Sequence, residues 1–336
     1  MPRKKARPTR IVKLDYGSAH TEKARYATRE DRHFSFNLGG ADDFRDGAFY
    51  LVGVIDGHRG AACAEEVARS LPSDIGSGLS FQDAFARTER CVRNESSGAC
   101  CCAATVKGVL LEDAQPTLDV AWLGDCRAFV ARRSGGVERL TADHSPEKER
   151  ERIEAAGGML VDDDGCVRVG VRPDDDDDAT TVDLLAACRA FGDADFKRPK
   201  AVVVATPDVR TMQLDSDCEF IVLCTDGVYE GLPTDERVLE AVKAGIADDE
   251  SGHAATAGAR AVVDAAVAGG ATDDVTCVVL RCVLSNVSGL LSGHGFFSSI
   301  FAAPRAARAS ASFVSLLYIT APTESTNHGA KTITQG

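Results

Sequence analysis

No apolar run in this 336-residue chain reaches the roughly 20 residues that a bilayer-spanning helix needs, so helical spans are excluded. The N-terminus, MPRKKARPTR, has no hydrophobic core behind its charges and is not a secretory signal. A basic surplus is missing as well. The formal charge is −13, and a nucleic-acid binder needs a cationic stripe. Neither GxGxxG nor GxxxxGK[ST] occurs, which removes the two common phosphate loops and with them most nucleotide-binding classes. Paired CxxC spacing with histidine partners is absent too, so the twelve cysteines do not describe a zinc site.

Those cysteines sit where small hydrophobes belong. Cys224 lies in FIVLCTDG, Cys277 and Cys282 lie in VTCVVLRCV, and Cys100, Cys101 and Cys102 open an apolar strand-like run. Free thiols in such positions fit a reducing compartment, cytoplasmic or nuclear. The one basic cluster is Arg3, Lys4, Lys5, Arg7, Arg10 and Lys13, with no acid before Asp15. It reads as a solvated, disordered tail over residues 1–23, with a nuclear-import signal or a contact to an anionic surface as the functional alternative.

From about Tyr26 to Val283, strand-like and helix-like segments alternate without a linker. AFYLVGVID, CCAATVKGVLL, TLDVAWLGD and CRAFVARR read as strands broken by short polar turns. SFQDAFARTERCV reads as a helix capped by Ser80 with Asp83 in the capping box, and Phe81, Phe85, Thr88 and Val92 share one face. In SPEKERERIEAAGG, Ser145 is placed to cap, Pro146 to open the helix, and Gly157-Gly158 to stop it. Strands are predicted at Ala201–Val204 and Glu219–Thr225, helices at Asp235–Ala244 and Ala254–Ala268, and a last strand at VTCVVLRCVL. Runs of strands with hairpin-length turns and segregated helices predict an α+β sandwich rather than a doubly wound sheet. Beyond Ser285 the chain is rich in Ser, Ala, Gly and Thr and reads as a low-complexity tail over residues 285–336.

Several carboxylates fall where a strand meets a turn. VIDGHRG places Asp56, Gly57 and His58 after a buried strand, and FIVLCTDG does the same for Asp226. GGATDDVTCVVL places Asp273 and Asp274 just before a strand. Asp125 sits in the turn of WLGDCRAF, and TREDRHF supplies Glu30 and Asp31. Each Asp-Gly alone is ordinary turn chemistry. Gathered at one end of a sandwich, they become a carboxylate-rich centre for hard divalent ions, which take several oxygen ligands. Residue spacing alone does not establish that they gather.

VIDGHRG, WLGDCRAFV, LTADHSPEKERERIEAAGG, CRAFGD, FIVLCTDGVYEGL and TDDVT follow one another in an order that resembles the metal-dependent Ser/Thr protein phosphatases of the PP2C (PPM) family, over roughly Ala24 to Val283. The resemblance implies a phosphatase domain over residues 24–284, built as two antiparallel β-sheets face to face and flanked by α-helices. It implies two Mg²⁺ or Mn²⁺ ions, with a weaker third, and phosphorylated proteins as substrates. Carried over position by position, Asp56 bridges both ions. Glu30 and the Gly57 carbonyl hold one of them, Asp226 and Asp273 hold the other, and Asp31 orients ligands from behind. A metal-bridging hydroxide attacks phosphorus in line, and His58 is the general acid for the leaving serine or threonine oxygen. His144 organises the turn before the Pro146 helix. Nothing in the sequence calls for a second copy, and a monomer without nucleic acid or membrane span is expected.

The chain departs from the family pattern at four places. Arg59 stands where a small residue is usual, and its guanidinium either contacts phosphate or points to solvent. The phosphate-gripping arginine is displaced, because Tyr26 occupies its position; Arg25 is the residue expected to serve, with Arg29 on the other side. Asp125 matches the acid of the third ion, and its partner there is Glu230, one methylene longer than usual. A run of five aspartates, Asp174–Asp178, fills a connection that is normally short; it reads as a solvated loop, or as a field favouring basic substrates. These departures leave a second reading open, that of a catalytically impaired phosphatase-like scaffold.

Overall fold

A computed structural model describes residues 9–21, 29–37, 49–108, 115–172, 182–249 and 251–286. All of them belong to the first of two units, Met1–Leu290, and the second, Leu291–Gly336, lies outside the described residues. Arg25, the aspartate run 174–178 and the first eight residues are outside them too.

The stretch expected to be a tail up to residue 23 contains strand β1 (Thr9–His20), which corrects that boundary. Its partner is the last strand of the domain, in a register that pairs Tyr16 with Leu280 and Ala19 with Cys277. Gly17 makes the packing over it possible, since a Cβ there would lie 2.1 Å from the Thr256 backbone nitrogen. Basic neighbours hid a strand whose mate, at Thr276–Asn286, is remote in the sequence.

Strands β2 (Arg32–Asn37) and β3 (Phe49–His58) lead into helices α1 (Ala62–Gly76) and α2 (Phe81–Val92). Helix α2 starts as its sequence predicts: Ser80 Oγ accepts the Asp83 amide (3.1 Å) and donates to the Asp83 carboxylate (2.7 Å). Phe85, Thr88 and Val92 are buried on one face. Strands β4 (Gly98–Lys107), β5 (Thr117–Leu123), β6 (Arg127–Arg132) and β7 (Val137–Arg139) follow.

Helix α3 (Arg150–Ala155) is shorter than predicted. Ser145 closes a separate turn instead, its carbonyl accepting the Lys148 and Glu149 amides. The Glu149 side chain is occupied by Arg189 (2.5 Å) and Arg152 (2.7 Å) rather than by a helix end. Gly157, at φ +95°, stops the helix where expected. Strands β8 (Met159–Asp163), β9 (Cys166–Val171) and β10 (Asp183–Leu185) then form a small sheet of their own, and β11 (Phe191–Gly192) pairs with β4.

The strand predicted at 201–204 is absent. Val204 makes one bridge to Arg189, while the Val202 and Val203 amides both turn back onto the Phe196 carbonyl, leaving no ladder to extend. The chain ends with β12 (Asp208–Gln213), β13 (Cys218–Cys224), α4 (Gly227–Gly231), α5 (Asp235–Ala247), α6 (Ala254–Ala268) and β14 (Thr276–Asn286).

Two antiparallel sheets result, ordered β1-β14-β13-β6-β7 and β12-β5-β4-β3-β2. Val52 and Val54 of β3 and Cys100 and Cys102 of β4 meet Ile221 and Leu223 of β13 and Val278 and Leu280 of β14 between them. The alternate residues face helices. Leu51, Ile55 and Cys101 pack with Val67, Leu71 and Phe85, while Val222 and Cys224 pack with Val238, Val242 and Val262. Strands buried on both faces carry nearly continuous apolar runs, which explains why β4 accepts three cysteines in a row. All twelve cysteines are free. The α+β sandwich flanked by helices is the architecture expected. No helix of the described residues is long and apolar enough to cross a membrane.

Candidate metal centre and active site

Three strand ends meet at one edge of the sandwich. Strand β3 delivers Asp56, Gly57 and His58 opposite Cys100, Ala99 and Gly98 of β4. The β5–β6 turn delivers Asp125, and the exit of β13 delivers Asp226 at the start of α4. These turns are built on close backbone approach. A Cβ at Gly124, which has φ +78°, would meet Cys100 Sγ, and one at Gly227 would lie 2.1 Å from the Asp274 carbonyl oxygen. A Cβ at Gly57 would lie 2.5 Å from the Glu30 carbonyl oxygen, so glycine lets the Glu30 segment close over β3.

Asp56, Asp125 and Asp226 consequently offer one oxygen each within 4.8 Å of one another. They line a cleft of about 540 Å³ together with Glu30, Gly57, His58, Arg59 and Asp273. The small sheet and its exit line the same cleft through Arg168 of β9 and Leu184 to Ala187.

The electrostatics of the acids are those of a site short of positive charge. Loss of water and the charges of Asp226, Asp31 and Asp125 push the Asp56 carboxyl well above the usual range. Desolvation, then Asp125, raise Asp226 to about 7, against a hydrogen bond from Asp56 that lowers it. Asp125 is raised by burial and by Asp143. Behind them the buried Asp31 is lifted to about 7 by desolvation, although Thr225 Oγ1 donates to its Oδ2 at 2.9 Å. Oxygen-only donors that repel one another are the donor set a hard divalent cation satisfies.

Glu30, Asp273 and Glu230 stand in different relations to this group. Glu30 lies at its edge, with Oε1 accepting the Gly60 amide (2.5 Å). Asp273 lines the cleft and accepts the Asp274 amide on Oδ1 (2.8 Å). Glu230 is not a lining residue. Its Oε2 accepts from the Thr272 amide (2.6 Å), the Thr272 hydroxyl (3.1 Å) and the Asp273 amide (3.2 Å), so it props the loop that carries Asp273. Of the two acids that the resemblance pairs for a third ion, Asp125 joins the central group, while Glu230 props the Asp273 loop and its charge also raises Asp226. His144 is buried, stacks on Trp122 (6.0 Å between centroids), and ties its amide to the Gly124 carbonyl (3.0 Å), next to the Asp125 turn.

His58 and Arg59 share an unforeseen partner. His58 Nε2 lies 2.9 and 3.1 Å from the two carboxylate oxygens of Asp193. Arg59, at φ +61°, sends Nη2 to Asp195 Oδ2 (2.9 Å) and Nη1 to within 3.5 Å of Asp193 Oδ1, with its guanidinium over the Phe196 ring. Its charge is directed at the 193–196 loop on the rim of the cleft. Sequence reading missed Asp193 and Arg168, and it named Asp274 among the strand-end acids without giving it a role. Asp274 Oδ2 accepts the Glu30 amide (2.8 Å) and so holds that segment at the site, while Arg168 pairs with Asp163 (2.7 Å). For Asp193 a signal existed in the motif CRAFGD, whose last residue had no role assigned.

The Protein phosphatase 2C family model matches residues 15–275. The chain is 35% identical to "Probable protein phosphatase 2C 32" of Oryza sativa subsp. japonica over 271 residues, 75% of this chain and 61% of that protein. It is 32% identical to "Probable protein phosphatase 2C 59" of Arabidopsis thaliana over 251 residues, 71% of this chain and 72% of that protein. Other plant relatives are longer: the match spans 40% of one and 56% of another. Among solved structures, the serine-threonine phosphatase 2C from Toxoplasma gondii superposes with a TM-score of 0.64 at 18% identity, covering 82% of this chain and all of that one. A C. elegans sex determining protein superposes with a TM-score of 0.62 at 21% identity, covering 80% and 65%. These two share the fold. With the family model spanning most of the chain, and the acids of its motifs gathered at one edge of the sandwich, the chain belongs to the protein phosphatase 2C family.

Proposed function

We propose that this chain is a metal-dependent phosphatase acting on phosphoserine and phosphothreonine in proteins. One observation carries the reading: Asp56, Asp125 and Asp226, from three separate strand ends, converge within 4.8 Å in a cleft that His58 also lines. Asp56, Asp125 and Asp226 would hold divalent ions, with Glu30, the Gly57 carbonyl and Asp273 at the edges of the same cleft. Such ions supply Lewis acidity toward phosphoryl oxygens and acidify water at the site. The chain's own groups do the rest. Asp31, through Thr225, and Asp274, through the Glu30 amide, fix the carboxylate frame. His58 gives a proton to the serine or threonine oxygen as the ester bond breaks, because an alkoxide is a poor leaving group. Arg59 and Arg168 place cations on the rim, where a phosphorylated segment enters.

The test is hydrolysis of a phosphoserine peptide across a Mn²⁺ and Mg²⁺ titration, with D226N alongside. Metal-dependent turnover that D226N loses by at least about 100-fold is expected. Near-normal turnover by D226N, or turnover in chelator, overturns the assignment.

One observation favours the scaffold reading: of the arginines lining the cleft, Arg59 is engaged by Asp195 and Arg168 by Asp163. A folded wild-type protein that binds Mn²⁺ but hydrolyses neither the peptide nor an aryl phosphate would establish it.

A further inference from the structure

The carboxylate on His58 belongs to a loop built to hold it there. Asp193 is fully shielded from solvent, whereas the His58 side chain, which lines the cleft, is 23% exposed. The Asp193 backbone sits at φ 51°, ψ 53°, a left-handed conformation that costs most residues energy and that Asp and Asn tolerate best. Its amide donates to the Ser97 carbonyl (3.0 Å), and its own carbonyl accepts the Phe196 amide (2.9 Å). On either side the loop is clamped to α2: Glu89 accepts the Gly192 amide (3.2 Å) and the Lys197 ammonium (2.7 Å), which also reaches the Ala190 carbonyl (2.9 Å). Room for the pair is made by Gly98, where a Cβ would lie 2.1 Å from Asp193 Oδ2 and 2.3 Å from His58 Nε2. A buried carboxylate, a strained backbone, a clamped loop and a glycine all serve one contact.

Resting on the phosphatase reading above, we infer that Asp193 is the positioning residue of the general acid. It orients the His58 imidazole by accepting the proton of Nε2, and thereby assigns the transferred proton to Nδ1. A carboxylate only accepts, so Nε2 must carry hydrogen while the contact lasts, and the ring has one nitrogen left for the substrate. The step then balances as follows. The oxygen of the attacking water forms the new bond to phosphorus, and the bond from phosphorus to the serine oxygen breaks with its electron pair going to that oxygen. The proton on His58 Nδ1 passes to the serine oxygen. One water proton stays on the product phosphate, and the other returns through solvent to His58. Between giving up the one proton and regaining the other the ring is neutral, its remaining hydrogen on Nε2 and still held by Asp193. Arg59 Nη1, 3.5 Å from the other Asp193 oxygen, keeps that carboxylate from turning away.

A residue that works only by orienting a general acid matters in proportion to the leaving group's need for a proton. Wild type, D193A, D193N, H58A and D193A/H58A are compared with Mn²⁺ on a phosphoserine peptide and on p-nitrophenyl phosphate, whose nitrophenolate departs without protonation. Melting temperature confirms each fold. D193A is expected to lower kcat on the peptide by about 10- to 100-fold with KM within about twofold, and to change p-nitrophenyl phosphate turnover by less than about threefold. D193N, which keeps an acceptor oxygen and tolerates the left-handed backbone, recovers part of the peptide rate. In the H58A background, removing Asp193 costs no more than about twofold further, because there is no ring left to orient. If D193A does not fold, D193N and D193N/H58A carry the same comparison. Equal losses on both substrates, or losses that multiply in the double variant, overturn the inference and make Asp193 a structural residue. A wild type that hydrolyses p-nitrophenyl phosphate while D193A matches it on the peptide overturns the inference alone. A wild type inert toward both substrates overturns the phosphatase reading beneath it.

Discussion

Asp226 sits in a group that harms the metal-free fold, and removing its charge should stabilise the protein while destroying its activity. The folded-state carboxyl is raised from 3.8 to about 7 by loss of water and by Asp125. An unfolded chain releases that proton near 3.8, whereas the folded chain retains it until about 7. Between those values the native state binds more protons, so stability falls as pH rises, and the full penalty is present above about 7. Roughly three pH units at 1.36 kcal/mol each give a ceiling of about 4 kcal/mol. Asp56 shares the same protons, so about 2–4 kcal/mol is the working range, or roughly 5–10 °C in Tm for a domain of this size. The assay is a thermal melt of wild type and D226N in chelator at pH 4 and pH 7.5, repeated at pH 7.5 with Mn²⁺. In chelator, D226N melts about 5–10 °C above wild type at pH 7.5, and the gap closes at pH 4. With Mn²⁺ the order reverses, since the cation offsets the repulsion only where the carboxylates are intact. A metal-free D226N that melts at or below wild type at pH 7.5 would refute the reasoning.

Two further perturbations test the surroundings. In G17A the new Cβ would overlap the Thr256 backbone, an overlap that no side-chain rotation relieves; unfolding stability should drop by about 2–4 kcal/mol in urea, and a loss under about 0.5 would show that β1 is dispensable. E230A frees the Thr272 and Asp273 amides, so the Mn²⁺ concentration for half-maximal activity should rise about tenfold with kcat at saturating metal little changed, and an unaltered midpoint would show that Glu230 does not prop the Asp273 loop.

What could be read from the sequence was what a short window encodes. The end of β3 announced itself because a β-branched run stops at Asp56-Gly57, and α2 because Ser80 and Asp83 satisfy each other three residues apart. What escaped depended on distant partners. Strand β1 has an unremarkable basic sequence and is fixed by β14, with α6 lying over its Gly17. Helix α3 starts late because Glu149 finds Arg189 forty residues on, an ion pair that no capping rule anticipates. Among the site residues, Asp193 meets His58 across 135 positions, and Asp274 meets Glu30 across 244. The sequence showed which acids stand at strand ends; only the fold shows which of them face each other.

That distinction makes the acid cluster informative. A folding sequence selected for stability alone has no use for Asp56, Asp125 and Asp226 within 4.8 Å, where Asp226 and Asp125 raise the cost of ionising Asp56 and Asp125 raises that of Asp226. The surrounding structure does the reverse of relieving them. Glycines at 57, 124 and 227 permit the close approach, and the threonine and aspartate behind them hold Asp31 and Glu30 in place. Local rules and global packing agree almost everywhere else in the sandwich, so a region engineered against its own stability marks where a ligand's charge completes the structure. The same logic separates Asp193 from the cluster. It faces a histidine and an arginine, and its burial follows from a contact it makes with the chain itself. One set of carboxylates is arranged to receive a cation from outside; the other is arranged to aim a proton.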